Sequence, residues 1–328
     1  MKTIRWGMIG CGSVAEVKSG PGFYKAQNSS LLAVTSRRPE QAADFARRHG
    51  IARVWATTEQ LLADPEIDAI YIATPPASHK PLALQAARAG KHVYVEKPMA
   101  LRFAECQEIV DVCQQQGVRL FVAFYRRAMP RFLKVREWLQ AGRIGAVRCV
   151  RLVQHQRPAP EDLSRETLPW RLRPEVAGGG KFLDMGVHAL DMFDFWFGRI
   201  ERVSGIACNL GGYYDVEDSV VAHWQHASGV LGSASWCYVA HDGEDRVEIT
   251  GARGKIELEF FSDRPLRLTS DAGVEEVDIP NPPHVQQPFI QSIVDDLNGL
   301  ASCPGDLGSA MRATWAADEL LKAVRGEV

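Results

Sequence analysis

Two segments of the sequence combine side chains that can exchange a proton with a ligand. The first is Glu96-Lys97-Pro98, which directly follows the apolar run Val93-Tyr94-Val95. A lysine at the carboxyl end of a buried strand is partly removed from water, which suits it to hydrogen-bond or polarise a ligand oxygen. Taken alone, a lysine at a strand end is more simply a surface charge, so this prediction depends on the other features of the chain.

The second segment begins with three glycines and carries an acid and an imidazole. Gly178-Gly179-Gly180 is followed by Asp184 and His188. Residues four apart share one face of a helix, so we expect Asp184 to orient the His188 ring for general acid/base chemistry. A metal site formed by Asp184, His188 and Asp191 also fits the spacing. No further ligand cluster supports it, and we expect no metal.

A glycine-rich loop follows the first apolar run, at 3–9. The sequence Gly10-Cys11-Gly12-Ser13-Val14-Ala15 fits the pattern G-x-G-x-x-A, in which the first glycine allows a tight turn. The second lets the backbone approach a pyrophosphate, which the N–H groups of Ser13 and Val14 would bind at the start of a helix. We therefore predict a dinucleotide site, and a break in this helix at Ser19-Gly20-Pro21-Gly22 after about two turns.

The residues after the second apolar run discriminate between the two nicotinamide cofactors. The sequence there is Ser36-Arg37-Arg38-Pro39-Glu40, with no acid before Glu40. Enzymes that use NAD usually place Asp or Glu here to bind the ribose 2′-hydroxyl. The helix dipole disfavours two arginines at a helix start unless an anion neutralises them, and a 2′-phosphate would accept hydrogen bonds from Ser36 and a guanidinium. We predict that NADP(H) is preferred, and NAD(H) stays open as a second cofactor.

The elements that must position these residues follow from the hydrophobic pattern. Apolar runs at 3–9, 31–35, 68–73, 91–95 and 118–123 alternate with helical patterns, which predicts βα units and a parallel sheet. Beyond residue 124 the pattern predicts helices at 129–140 and 181–197, antiparallel strands over 200–279, and closing helices near 286–300 and 306–325.

This pattern indicates two domains. We predict a dinucleotide-binding domain over 1–123 and a substrate-binding and oligomerisation domain over 124–328, with helix 306–325 able to pack back on the first.

Composition excludes several classes of protein. The 328 residues are 46% apolar and 24% charged, with a formal net charge of −2, so the chain is neither disordered nor rich in the positive charge that nucleic acids attract. No apolar run approaches the ~20 residues of a membrane span, and the N-terminus lacks the features of a signal peptide. The seven cysteines form no C-x-x-C pair. We expect a cytoplasmic protein that binds neither nucleic acid nor membrane.

The three motifs, in this order and at these spacings, resemble the Gfo/Idh/MocA family of oxidoreductases. Two further segments extend the resemblance over nearly the whole chain, Ala73-Thr74-Pro75-Pro76-Ala77-Ser78-His79 and Phe124-Tyr125-Arg126-Arg127. The resemblance implies an α/β Rossmann domain followed by an α+β domain with a large, mainly antiparallel, open-faced sheet. It also implies hydride transfer between NADP(H) and a hydroxyl or carbonyl carbon of a sugar, polyol or related cyclic alcohol.

The resemblance further assigns roles by position. It implies that Lys97 contacts the substrate hydroxyl and the nicotinamide ribose, that His188 exchanges the proton with the reacting oxygen, and that Asp184 orients the pair and binds a neighbouring hydroxyl. Tyr125 and Arg126 would border the substrate. The remaining residues implied at the cofactor are Thr74, Pro75, His79, Glu96, Trp170 and Arg171. The open face of the second sheet would form a homodimer or homotetramer.

Two other functions remain open. One is a glycosidase that oxidises its sugar transiently with the nicotinamide, which would cleave a glycoside without net cofactor turnover. The other is a redox-silent sensor that binds the dinucleotide and changes partners. The proton-transfer set Lys97, Asp184 and His188 argues against the sensor, because a sensor needs no such group.

Overall fold

The computed structural model describes residues 1–327, and the chain groups into two compact units. The first unit comprises residues 1–129 and 282–311, and the second comprises residues 130–281 and the chain from Arg312 onward. The domain boundary that we placed after residue 123 stays a prediction.

The helices have the following bounds in chain order. They are α1 (Gly20–Lys25), α2 (Pro39–His49), α3 (Thr58–Ala63), α4 (His79–Arg88), α5 (Phe103–Gln115), α6 (Pro130–Gln140), α7 (Pro174–Ala177), α8 (Val187–Phe197), α9 (Gln287–Leu297) and α10 (Leu307–Leu321). The four helices predicted beyond residue 124 are confirmed as α6, α8, α9 and α10. Among residues 1–327, no helix combines the length and the hydropathy of a membrane span.

The first unit is built on a six-stranded parallel sheet. Its strands are β1 (Ile4–Ile9), β2 (Ser29–Thr35), β3 (Arg53–Val54), β4 (Ala69–Ile72), β5 (His92–Val95) and β6 (Leu120–Val122), in the order β3-β2-β1-β4-β5-β6. Each predicted apolar run overlaps one of these strands, and only the two-residue edge strand β3 was not predicted. Strands β2 and β3 are added on one side of β1, and β4, β5 and β6 are added on the other. Open α/β sheets bind their ligands at the carboxyl ends of the strands where this order switches, here between β1 and β4.

The predicted helix break at Ser19–Gly22 is wrong. A π-helical turn over Ala15–Ser19 leads directly into α1, so helical conformation continues to Lys25. In this turn the Gly20 N–H donates to the Ala15 carbonyl, five residues back instead of four. Pro21 then falls in the first turn of α1, where proline needs no donor and fits well. The wider turn therefore accommodates the proline without ending the helix.

Residues far along the chain compensate for the irregular turn. Pro21 has no N–H for the Val17 carbonyl, and the His284 ring Nδ1 lies 3.1 Å from that oxygen. The Gln286 main-chain N–H donates to the Lys18 carbonyl at 3.1 Å. A Cβ at Gly22 would lie 2.8 Å from Ile290 of α9. This glycine thus allows two helices to pack closely, which a local reading of the sequence cannot reveal.

The second unit contains an eight-stranded sheet. Its strands are β7 (Val147–His155), β8 (Ile200–Cys208), β9 (Ser219–His226), β10 (Leu231–Cys237), β11 (Glu244–Gly251), β12 (Gly254–Leu258), β13 (Leu266–Ser270) and β14 (Gly273–Val277). Their order is β14-β13-β12-β11-β7-β10-β9-β8, and every neighbouring pair is antiparallel except β7 with β10. The mainly antiparallel sheet is confirmed, although the sequence did not reveal its central strand β7.

Helix α10 from Arg312 onward belongs to the second unit. The Arg312 guanidinium donates two hydrogen bonds to the Asp194 carboxylate of α8, each 2.8 Å long. Paired donors of this kind fix one helix against the other in orientation as well as in distance. Packing of this helix against the first domain stays a prediction.

Candidate active site

A cavity of about 770 Å³ lies in the first unit at the carboxyl ends of β1, β2 and β4. It is lined by the segments that follow these strands, including Gly10–Gly12, Thr35–Arg38 and Ala73–Pro75. Its volume is typical of cavities that hold a small molecule or cofactor. The sequence-predicted residues Gly10, Gly12, Ser36, Arg37, Arg38, Thr74 and Pro75 all line it.

The two glycines of the loop have different structural roles. Gly10 has φ of 101°, and a Cβ there would lie 2.9 Å from the Ala73 carbonyl oxygen, so the turn itself requires glycine. A Cβ at Gly12 would meet no atom within 4 Å outside its chain neighbours. The backbone of Gly12 is therefore open to close approach by a ligand, and Ser13 and Val14 begin the helical turns directly after it. This arrangement fits a pyrophosphate bound by main-chain N–H groups.

Two arginines follow the end of β2 and give it positive charge. Arg37 and Arg38 are exposed and line the cavity, and within residues 1–327 neither forms an ion pair. By contrast, Arg47 and Arg48 of α2 both pair with Asp44. The residues that line the cavity include no Asp or Glu. The cavity therefore favours an anionic ligand at this end.

His79 lies behind the cavity instead of lining it. Its ring is fully buried, with Nε2 2.7 Å from the Thr74 carbonyl and Nδ1 2.8 Å from the Pro98 carbonyl. Burial lowers the pKa of His79, and the two carbonyls that flank the ring oppose that shift. The imidazole thus connects the segment after β4, which lines the cavity, to the segment after β5.

The side chains after β5 and β6 are held in the interior of the first unit. Glu96 is almost fully buried, and its Oε1 accepts hydrogen bonds from the Tyr71 hydroxyl at 2.7 Å and from Gln286 Nε2 at 2.6 Å. Lys97 follows it and is half-buried. Tyr125 and Arg126 follow β6 and are both buried, with the guanidinium 5.6 Å from the centre of the tyrosine ring. Sequence reasoning missed Gln286, because it lies 190 residues beyond Glu96.

In the second unit, Asp184 and Arg171 form an ion pair. Asp184 lies on a π-helical turn over Phe182–Gly186, and its Oδ2 accepts a hydrogen bond from Arg171 Nε at 2.9 Å. The Arg171 guanidinium also lies 4.4 Å from the centre of the Trp170 ring. The structure therefore brings three sequence-predicted residues together. The pairing itself was not predicted, because Arg171 lies in an irregular segment whose path the sequence does not specify.

His188 is the second residue of α8, which follows the turn that carries Asp184. It is buried, and its ring centre lies 6.3 Å from that of Phe261 in an edge-on arrangement. Among residues 1–327, no cluster of three or more His, Cys, Asp or Glu side chains could hold a metal ion.

The glycines before Asp184 pack against a buried acid. The Gly180 N–H donates to Glu217 Oε1 at 2.8 Å, and a Cβ at Gly180 would lie 2.1 Å from the Glu217 carbonyl oxygen. Burial raises the pKa of Glu217 to about 7. A Cβ at Gly186 would lie 2.4 Å from the Phe182 ring. The glycine motif is thus a packing requirement of the segment that positions Asp184, and Glu217 is the partner that the sequence did not identify.

Two segments of the chain match profiles of known protein families. A family profile described as "Oxidoreductase family, NAD-binding Rossmann fold" matches residues 4–124, and one described as "GFO/IDH/MocA C-terminal domain" matches residues 132–257. "Oxidoreductase P35" of Formosa agariphila is 37% identical over 317 residues, which cover 96% of this chain and 97% of that protein. The 1,5-anhydro-D-fructose reductase of Ensifer adhaerens is 31% identical over 255 residues, which cover 77% of this chain and 74% of that protein.

A solved structure shows the same fold. Levoglucosan dehydrogenase in complex with NADH and levoglucosan superimposes with a TM-score of 0.87 at 23% identity, covering 99% of this chain and 98% of that one. The profiles match both halves of the chain, and the first relative matches almost all of it. The chain belongs to the Gfo/Idh/MocA family and is an oxidoreductase with an NAD-binding Rossmann domain.

Proposed function

We propose that this protein is an NADP(H)-preferring oxidoreductase that transfers hydride between the nicotinamide and a hydroxyl or carbonyl carbon of a sugar, polyol or related cyclic alcohol. The observation that carries the cofactor preference is the charge at the end of β2. Two arginines line the cavity there without a carboxylate partner among residues 1–327. The substrate class is supported by a relative at 31% identity that is named for reducing an anhydro sugar.

Different residues of the first unit would bind different parts of the cofactor. The N–H groups of the loop at Gly12, Ser13 and Val14 would bind the pyrophosphate, as helix N-termini do for anions in general. Ser36 and the two arginines after it would bind the 2′-phosphate. Thr74 and Pro75 would contact the adjacent part of the dinucleotide, held in place by His79 behind them.

The proton chemistry is assigned to Lys97, Asp184 and His188. When bound, the nicotinamide supplies or accepts the hydride. Lys97 contacts the substrate oxygen, and His188 or Lys97 exchanges a proton with it. Asp184 binds a neighbouring hydroxyl, and its orientation is fixed by the 2.9 Å hydrogen bond from Arg171. We propose that Tyr125 and Arg126 border the substrate and that Trp170 approaches the nicotinamide.

The test is a screen of sugars, ketoses and inositols for a change in NADPH absorbance, repeated with Lys97→Ala. We expect turnover of at least one compound, and a fall in kcat of about 100-fold or more in Lys97→Ala with dinucleotide binding largely intact. Lys134→Ala, which removes a surface ion pair with Glu137, serves as the control and should leave kcat unchanged. Wild-type turnover that persists in Lys97→Ala would exclude the role assigned to this lysine.

A further inference from the structure

One buried glutamine connects the end of β5 to helix α9. Gln286 is fully buried at the N-terminus of α9, and its Nε2 donates to Glu96 Oε1 at 2.6 Å. Its Oε1 accepts a hydrogen bond from the Tyr94 hydroxyl at 2.7 Å. A carboxylate only accepts hydrogen bonds, so the amide nitrogen must face Glu96 and the amide oxygen must face Tyr94. The orientation of this side chain is therefore fully determined.

Glu96 is held by a second donor on the same oxygen. The Tyr71 hydroxyl lies 2.7 Å from Glu96 Oε1. Burial and the charge of Glu96 raise the pKa of Tyr71 and that of Tyr94, so both phenols stay protonated and keep donating. The other carboxylate oxygen, Oε2, accepts the main-chain N–H of Lys97 at 3.3 Å. The orientation of the Glu96 carboxylate thus helps to fix the position of the Lys97 main chain, through this hydrogen bond.

Lys97 lies between two anchored residues. Glu96 is anchored on one side by Gln286, and the Pro98 carbonyl on the other side is 2.8 Å from the buried His79 ring. The main-chain N–H of Gln286 also donates to the Lys18 carbonyl, in the π-helical turn that follows the glycine loop. A single residue therefore contacts both the helical turn that follows the glycine loop and the segment that carries the proposed proton-transfer lysine.

We propose that Gln286 is a positioning residue, whose amide orients Glu96 and thereby sets the placement of Lys97 for its reaction with the substrate oxygen. The inference rests on the role proposed for Lys97. Gln286 lies outside both matched segments, 4–124 and 132–257, so neither family profile covers it. The tertiary fold alone brings it to the end of β5.

The first test replaces the amide with an apolar group of similar length, in Gln286→Met. Glu96 then loses one of its two donors on Oε1, and small displacements of a catalytic group reduce rates strongly, so we expect kcat to fall at least about tenfold. The dissociation constant of NADPH should change less than about threefold, because the cavity lining is untouched. Gln291→Met on the same helix is the matched control, since its amide binds Gln27 and Asp295 instead.

A second variant separates positioning from mere structural support. In Gln286→Glu, the carboxyl donates to Glu96 only when it is protonated. The ratio of its kcat to that of the wild type should therefore rise as the pH falls. The titratable groups that contact the residue at 286 are Glu96 and Tyr94, and Tyr71 donates to the same oxygen of Glu96. The folded fraction of the variant is measured by circular dichroism at each pH, because a buried carboxyl also makes stability depend on pH. A residue that only stabilised the fold would give a kcat ratio per folded molecule that is independent of pH.

A third readout does not need the substrate. The rate at which an amine-reactive reagent labels Lys97, followed by mass spectrometry, should change at least about threefold in Gln286→Met and not in Gln291→Met. If the wild type turns over no alcohol or carbonyl compound, the proposed function fails, yet this labelling rate still reports on the positioning role. The two failures are thus distinguishable.

The inference is overturned by a folded Gln286→Met protein with unchanged kcat and unchanged Lys97 labelling. It is also overturned if dinucleotide affinity falls as much as kcat, because the glutamine would then support cofactor binding alone. Should Gln286→Met fail to fold, Tyr94→Phe removes only the donor to the amide oxygen. That variant should show a smaller loss of kcat in the same direction, and unchanged activity and labelling would overturn the proposal.

Discussion

At the scale of single residues, the two arginines after β2 give the most specific prediction, which concerns the preference for NADP⁺ over NAD⁺. Charge-assisted hydrogen bonds from a guanidinium to a phosphate are strong, although exposure at Arg37 and Arg38 reduces their contribution. We therefore expect Arg37→Ala with Arg38→Ala to weaken NADP⁺ binding by roughly tenfold to a hundredfold and to leave NAD⁺ binding nearly unchanged. Isothermal titration of both cofactors measures this.

Salt and a neighbouring arginine provide controls for that experiment. The preference for NADP⁺ should decrease as ionic strength rises, because exposed charges are screened. Arg47→Ala, which removes a guanidinium already paired with Asp44 on α2, should leave both affinities unchanged. Equal wild-type affinities for NADP⁺ and NAD⁺ would contradict the phosphate assignment.

At the scale of secondary structure elements, the turn that carries Asp184 depends on the buried Glu217. Because burial raises the pKa of this carboxyl from 4.5 to about 7, the folded protein binds its proton more tightly than the unfolded chain. The contribution is fully present below about pH 4.5 and is lost as the pH rises through about 7. It amounts to roughly 3 kcal/mol of unfolding free energy over this interval.

Glu217→Gln tests this coupling, because the amide oxygen still accepts the Gly180 N–H but does not titrate. We expect the unfolding free energy of the variant, relative to the wild type, to increase between about pH 5 and pH 7.5, as measured by denaturant unfolding. Glu175→Gln, on the short helix α7 just before the glycines, serves as an exposed control. A difference from the wild type that stays constant over this pH range would show that Glu217 does not titrate as described.

Some of the elements and contacts in the structure could be predicted from the sequence, and others could not. Parallel strands such as β4 are buried on both faces, so their apolar runs predict the sheet, and the G-x-G-x-x-A loop predicts the cavity at its edge. The helix through Ser19–Gly22 was missed because its carbonyl partners come from residues 284 and 286. The Arg171–Asp184 pair was missed for a related reason, since it joins an irregular segment to a π-helical turn. Long-range partners, unlike periodicity, leave no local signal.

At the scale of the whole molecule, the eight-stranded sheet carries an apolar surface. Ile206 lies opposite Val221 and is 73% exposed, while Val221 is 60% exposed. Leu231, opposite Gln225 on the same face, is 54% exposed. Neighbouring exposed apolar side chains of this kind mark interaction surfaces, and we propose that a second copy of the chain covers them.

Sedimentation of the wild type should then show a dimer or a tetramer. Ile206→Glu with Val221→Glu should shift the protein to smaller species, because two buried carboxylates would face the partner without compensation. Leu300→Glu, at a residue that is 53% exposed outside the sheet, should leave the assembly unchanged. A wild type that is monomeric at micromolar concentration would contradict this proposal.

The central claim is that the protein transfers a hydride from the nicotinamide to a substrate carbon. The most direct measurement uses NADPH deuterated at the transferred position with the best carbonyl substrate from the screen, followed by mass spectrometry and NMR of the product. Hydride transfer from the nicotinamide should place one deuterium on the carbinol carbon for each NADPH oxidised. A product without deuterium, or cleavage of a glycoside with no net NADPH consumed, would contradict it.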